Sequence, residues 1–188
     1  MTLELSPNAA LIVIDVQREF DEPSHGRRDN PDAEANIGLL VEAWRAADRL
    51  VVRVAQTEPG TGGGFDPESP GHAFKPVIAD LVPSLDVQKE VHSAFNGRPD
   101  LDLWLRENEV EQVVICGIQT NRCCESTARV AADLGYDVVF AIDATYTFDK
   151  PGPDGSTYPA EQLSAATGAT LHQYFATVVR TAQLLGDS

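Results

Sequence analysis

Between residues 113 and 134 the chain reads VVICGIQTNRCCESTARVAADL, and this stretch constrains the fold more than any other. VVIC is an apolar, β-branched run of the length expected of a strand buried on both faces. Gly117 breaks the run. From Asn121 the apolar spacing turns helical, with Ala128, Ala131, Ala132 and Leu134 on one face of period 3.6. A strand, a tight turn and a helix that opens on cysteines make a strand-to-helix elbow. A thiol in the first turn of a helix lies at the positive end of the macrodipole, which favours thiolate. The free backbone N–H groups of that turn are donors for a developing oxyanion. Cys116, Cys123 and Cys124 also read as small core hydrophobes, as free cysteines most often are. Taken alone, the stretch leaves both readings open.

Other apolar runs repeat the strand signal. Residues 9–16 form one that ends on Asp15. A buried parallel strand finishing in a carboxylate puts that group at the carboxyl edge of a sheet, where open α/β folds build their sites. Residues 50–56 (LVVRVAQ), 86–91 (DVQKEV, carrying Lys89) and 137–144 (DVVFAIDA, ending near Asp143) are further strands, and FATVVRT is the last. Asp32 stands where it can cap a helix to about residue 50, with Ala33, Ile37, Leu40, Val41 and Trp44 on one side. A short helix is predicted over 101–108, another from Pro159 to about residue 174, and TAQLL as a terminal helical turn. Segments 17–31 and 58–70 and the run DKPGPDGSTYP are turn-rich loops. Strands alternating with helices predict an α/β fold: a three-layer α/β/α sandwich with a mostly parallel central sheet, in a single domain over residues 1–188.

Charge narrows the partners. A net charge of −15 excludes nucleic acid and anionic membrane as expected partners, since both require a basic patch. No apolar run approaches the roughly 20 residues that span a bilayer, and MTLELSPN lacks the basic-then-apolar pattern of a signal peptide. Three cysteines, two of them adjacent, make no disulfide framework, so a reducing cytoplasm is the expected compartment.

Three polar residues interrupt or end otherwise apolar segments: Asp15, Lys89 and a cysteine at 123 or 124. Together they have the logic of an activated nucleophile, with a carboxylate to take the thiol proton and an ammonium to favour the anions. Separately, Lys89 reads as an edge-strand lysine and Asp15 as a cap. The motifs LIVIDVQREF, VQKEVHSAFNG, CGIQTNRCCESTARVAADLGYDV and AIDATYTF spread over nearly the whole chain. In that order they resemble the isochorismatase-like cysteine hydrolases, the superfamily of nicotinamidases, N-carbamoylsarcosine and ureidoacrylate amidohydrolases, biuret hydrolases and streptothricin hydrolase.

The resemblance implies Asp15 as general base and acid, Lys89 as the triad lysine, and Cys123, six residues after the motif glycine Gly117, as the nucleophile. Adjacent helical residues point about 100° apart, so Cys124 is read as packing and Cys116 as core. The resemblance further implies a cis peptide at Ile118–Gln119, with the N–H groups of Gln119 and Cys123 as the oxyanion hole. Gln17, Phe20, Phe95, Asn121 and Tyr146 are the implied substrate-binding positions, and Arg122 is read at least as readily as a surface residue.

Where nicotinamidases carry an Asp-x-His metal site, this chain reads VAQTEPG. No catalytic metal and no cofactor are therefore expected, and nicotinamide is disfavoured. His72 and His92 are read as solvated or capping, His25 as a loop residue and His172 as structural. Isochorismatases proper lack the cysteine, so Cys123 argues for cleavage of a C–N bond in an amide, lactam, ureido or imide group of a small molecule. Asp15 would take the thiol proton, protonate the leaving nitrogen and activate the water that cleaves the thioester. The alternatives are hydrolysis of a vinyl ether through Asp15 without a covalent step, and a silent or redox-responsive member of the family. By the same resemblance a homo-oligomer, dimer or tetramer, is expected.

Overall fold

A computed structural model of the protein describes residues 5–186. Its centre is β1 (Ala10–Ile14), every residue of which is buried, as an apolar strand in the middle of a parallel sheet must be. β2 (Val51–Gln56), β3 (Leu85–Lys89), β4 (Gln112–Ile118) and β5 (Asp137–Tyr146) follow in the chain. A two-stranded ribbon comes next, β6 (Lys150–Pro151) with β7 (Thr157–Tyr158), inside what reads in sequence as plain loop. β8 (Thr177–Val179) completes the set. The main sheet has six strands in the order β3-β2-β1-β4-β5-β8, and every pairing in it is parallel.

Alternate side chains of these strands feed two cores. On one face Leu11, Val13, Val114, Cys116 and Val139 pack with Ile37, Leu40, Val41 and Trp44 of α1 (Ala33–Ala46). Ile78 from α2 (Pro76–Ala79) joins them, and Leu184 and Leu185 of the C-terminal helix pack against the same cluster. On the other face Ile12, Ile14, Val113 and Phe140 pack with Leu101 and Leu105 of α3 (Leu101–Glu107), Ala128 and Ala131 of α4 (Glu125–Asp133) and Leu171 of α5 (Ala160–Leu171). The α1 stripe is the one read from sequence, and Trp44 adds a hydrogen bond from Nε1 to the Ala9 carbonyl at 2.9 Å. Helices on both faces of a parallel sheet make the three-layer α/β/α sandwich. Among the described residues no helix is long and apolar enough to cross a membrane.

Three local expectations are corrected. Asp32 precedes α1 but its side chain makes no capping bond. Asp143 does not end β5. The strand runs on to Tyr146, and Asp143 Oδ1 instead accepts from the N–H and hydroxyl of Thr181 at 2.7 and 2.8 Å, where α6 (Thr181–Leu185) begins. Gly117 does not terminate its strand either. It lies within β4, at the bulge where the register to β5 shifts, with φ at +126°. Opposite it in the ladder is Ile14, and a Cβ on residue 117 would stand 2.1 Å from the Ile14 carbonyl oxygen. A glycine is needed there both for the dihedral and for the close approach of β1. Gly117→Ala is expected to cost more than about 3 kcal/mol, since overpacking and a forbidden φ act together; urea denaturation of the purified variant measures it, and a loss below about 1 kcal/mol would contradict the close approach.

Candidate active site

The strand order decides what can meet. Asp15 directly follows β1, Lys89 ends β3, Gln56 ends β2 between them, and Cys123 follows β4 on the far side of β1. All four reach the carboxyl edge of the sheet beside the place where strand order reverses, the usual position of ligand crevices in such sheets. Asp15 thus stands between Lys89 on one side and Cys123 on the other.

The side chains use that placement. Lys89 Nζ donates to Asp15 Oδ2 at 2.7 Å and to Gln56 Oε1 at 2.8 Å. Both members of the ion pair are sealed, with Asp15 at 0% and Lys89 at 1% exposure. Asp15 Oδ1 accepts no hydrogen bond that meets geometric criteria among the described residues. The Cys123 thiol is an electrostatic neighbour of this carboxyl and lowers its affinity for protons. Asp15 also has φ at +50°, a conformation uncommon outside glycine and one that recurs at functional sites.

Electrostatics sets the resting protonation. Burial raises the Asp15 carboxyl above the usual carboxylate range, against the charge and hydrogen bond of Lys89, which lower it. Burial opposes the Lys89 ammonium, but the charges of Asp15 and Cys123 and its hydrogen bond to Asp15 hold it above the ordinary lysine value. Burial and then the Asp15 charge push the Cys123 thiol up to about 12, with Lys89 partly countering. Burial raises Cys116 and Cys124 as well, and both are fully enclosed. Burial and the Asp15 charge thus favour the thiol form of Cys123, against the thiolate expected from a helix N-terminus. The local backbone differs too. Thr120–Cys124 form a π-helical turn in which the Cys124 N–H donates to the Gln119 carbonyl at 3.2 Å, and α4 starts only at Glu125. Such turns often mark functional sites. The peptide Ile118–Gln119 just before it is cis.

Above these groups opens a cavity of about 130 Å³, with Asp15, Gln119 and Cys123 at its base. Phe20, Phe65 and His25 supply an aromatic wall, with Phe20 5.2 Å from Phe65 and 5.3 Å from His25 between ring centroids. Glu58, Arg122 and His92 line the rest together with Gln56. At this volume the cavity suits a small molecule of a few heavy atoms rather than a drug-sized ligand, which needs roughly 300 Å³ or more.

Of the substrate-binding positions read from sequence, only Phe20 lines this cavity. Gln17 is fully buried beneath it. Its Nε2 donates to the carbonyls of Gln56 and His72, both at 3.0 Å, and its Oε1 accepts from the Gln56 N–H at 2.9 Å, so it staples β2 to the long loop. Phe95 packs against Tyr136 at 5.8 Å. Asn121 Oδ1 accepts from the Thr147 hydroxyl at 2.6 Å. Tyr146 is fully buried beneath Arg28, whose guanidinium carbon lies 3.5 Å from the ring centroid. Six cavity residues that sequence reasoning passed over or left at the surface are His25, Gln56, Glu58, Phe65, His92 and Arg122. They stand on a strand end, in loops and in the elbow turn, where no local pattern marked them. Among the described residues no group of three or more His, Cys, Asp or Glu side chains is placed to hold a metal ion.

Comparison with known proteins places the fold in a family. The isochorismatase domain family model matches residues 9–183. An uncharacterized isochorismatase family protein of Bacillus subtilis is 35% identical over 178 residues, covering 95% of each chain. A streptothricin hydrolase of Streptomyces noursei is 32% identical over 167 residues, 86% of this chain and 64% of that protein. A structure from Chromobacterium violaceum, described as an isochorismatase-family hydrolase, superposes with a TM-score of 0.94 at 31% identity, covering 100% of this chain and 97% of that one. A cysteine hydrolase from Pseudomonas syringae superposes with a TM-score of 0.87 at 26% identity, covering 97% and 93%.

Proposed function

This chain belongs to the isochorismatase family of hydrolases, and from that premise we propose that it cleaves a C–N bond of a small amide, lactam, ureido or imide through a thioester on Cys123. The observation that carries the reading is the placement of Asp15, its carboxyl held by the Lys89 ammonium at 2.7 Å and interacting with the Cys123 thiol, at the base of a cavity.

Each group then has one task. A thiol held at about 12 is a poor nucleophile until its proton is removed. Asp15 takes that proton as sulfur attacks the carbonyl carbon, so charge never has to rest on sulfur in the free enzyme. The raised affinity of Asp15 for protons, a consequence of burial, makes it a better base than an exposed carboxylate. The tetrahedral oxyanion is received by the N–H groups of Gln119 and Cys123. Asp15 returns the proton to the departing nitrogen as the C–N bond breaks, leaving the acyl group on sulfur. Water then hydrolyses the thioester. Lys89 keeps Asp15 ionised and oriented throughout. Phe20 and Phe65 give the substrate an aromatic, apolar wall, and Glu58 and Arg122 give it polar neighbours.

The test is a hydrolysis panel of nicotinamide, N-carbamoyl amino acids, ureidoacrylate, biuret, a streptothricin-type lactam and isochorismate, quenched in acid within seconds and read by intact mass. Turnover of a C–N substrate with its acyl mass trapped on Cys123 is the expected result. Turnover of isochorismate with no adduct would replace this reading with a non-covalent, Asp15-driven hydrolysis.

A further inference from the structure

Sulfur has a second titratable neighbour. His92 Nδ1 lies 3.9 Å from Cys123 Sγ and the imidazole lines the same cavity. The two neighbours differ in access: Asp15 is sealed at 0% exposure, whereas His92 is exposed to solvent.

The fold ties the turn that carries His92 to the turn that carries Cys123. Two residues after His92 the Ala94 N–H donates to Thr127 Oγ1 at 3.1 Å, and that hydroxyl donates to the Cys123 carbonyl at 2.7 Å. Both bonds are buried, so the turn carrying His92 and the turn carrying Cys123 are tied through one threonine of α4. The backbones of the two turns are thereby held in register, which keeps the imidazole within reach of sulfur.

We infer that His92 is the base of the second half-reaction, the hydrolysis of the thioester. This rests on the covalent reading above, and it separates two proton paths. In acylation Asp15 carries the thiol proton to the leaving nitrogen and ends as it began, a carboxylate. The incoming water arrives from the open side of the cavity, where His92 stands. Its O–H bond breaks to His92 Nδ1 as its oxygen bonds to the thioester carbon. The tetrahedral adduct then expels sulfur, the C–S bond breaks, and the imidazolium passes its proton to that sulfur. The products are the carboxylic acid and the free Cys123 thiol, with His92 neutral again. Imidazole suits this shuttle because its ring nitrogen accepts a proton and can donate the same proton onward. A 3.9 Å separation is long for a resting hydrogen bond, but catalytic hydrogen bonds are often long before substrate is bound.

The two half-reactions are separated with p-nitrophenyl acetate, whose leaving group needs no proton. Wild type is expected to release one equivalent of p-nitrophenolate in a burst, carry an acetyl group on Cys123 by intact mass, and then turn over. His92→Ala should keep the burst and lose about 100-fold or more of the steady rate, with acetyl-Cys123 persisting. Added imidazole should restore part of that rate. A steady rate equal to wild type in His92→Ala overturns the inference and leaves the covalent reading intact. Equal slowing of burst and steady rate, without rescue by imidazole, also overturns it, since His92 would then only shape the site. Absence of any Cys123-dependent burst in wild type, with Cys123→Ala as control, removes the covalent reading and this inference together.

Discussion

Under the proposed reaction, Cys123→Ala is expected to lower hydrolysis of whichever C–N substrate wild type turns over by about 10⁴- to 10⁶-fold, the range seen when a nucleophile is removed from an otherwise intact site. The remainder would come from the cavity and the oxyanion donors. Cys124→Ala should leave the rate within about twofold, although the two residues are adjacent. Their surroundings differ: Cys123 is 8% exposed and lines the cavity, whereas Cys124 is fully buried among Ala128, Ala131 and their neighbours on the α4 side of the sheet. Cys124 therefore contributes packing, and its truncation is expected to cost about 1 kcal/mol of stability, the value of one methylene-sized buried group. Both variants should give native circular dichroism and a single thermal transition. Iodoacetamide adds a readout that needs no substrate, since only Cys123 opens to the cavity and its alkylation should track activity. An enzyme that keeps its C–N hydrolysis in Cys123→Ala would transfer the chemistry to Asp15 and water.

How far the sequence carried this depends on where each side chain originates. Residues set by the period of a strand or by its carboxyl end were legible. β1, β2, β4 and the α1 stripe form where the apolar pattern places them, and Asp15, Lys89 and Cys123 meet because parallel strands deliver their ends to one edge. Elements were misjudged where backbone rather than side chain decides. Gly117 looked like a terminator because glycine usually ends a strand, yet here it lets β1 approach inside one. Tyr146 looked like a loop residue at the site, but β5 runs two residues further, pairing Tyr146 with Ile118 and burying its ring under Arg28. The family resemblance puts Gln17, just past Asp15, at the pocket. No sequence spacing could show that the Gln56 and His72 backbones would saturate its amide. His92 was the reverse case: three residues beyond Lys89 it appeared isolated, because its tie to Cys123 runs through Thr127, 33 residues on from Ala94. Cavity walls made by loops are long-range products of packing, and a linear pattern carries little of them.

Lys89→Met is expected to move activity and stability in opposite directions with pH. Methionine keeps the length and volume of the lysine stem but removes its charge and its bonds to Asp15 and Gln56. Burial already raises the Asp15 carboxyl, and Lys89 supplies the largest influences that lower it. Without them its affinity for protons must rise further. Acylation needs the carboxylate, so the acid limb of the kcat/KM profile should shift to higher pH by about one unit or more. At pH 7 the rate should fall by at least about tenfold and recover in part as the pH is raised. Stability runs the other way. A carboxyl whose folded pKa lies above its unfolded value binds protons more tightly when folded, so its favourable contribution is full at low pH and is lost as pH rises through the folded pKa. The variant should therefore melt higher at pH 5 than at pH 8. At pH 8 the unpaired buried carboxylate should cost about 3–5 kcal/mol against wild type, the usual result of removing one partner of a buried pair. Two titrations of one protein, a rate profile and a melting profile, read the same group from opposite sides. An acid limb that stays in place or moves to lower pH would mean that Lys89 does not govern Asp15, and the base would have to be sought elsewhere in the cavity.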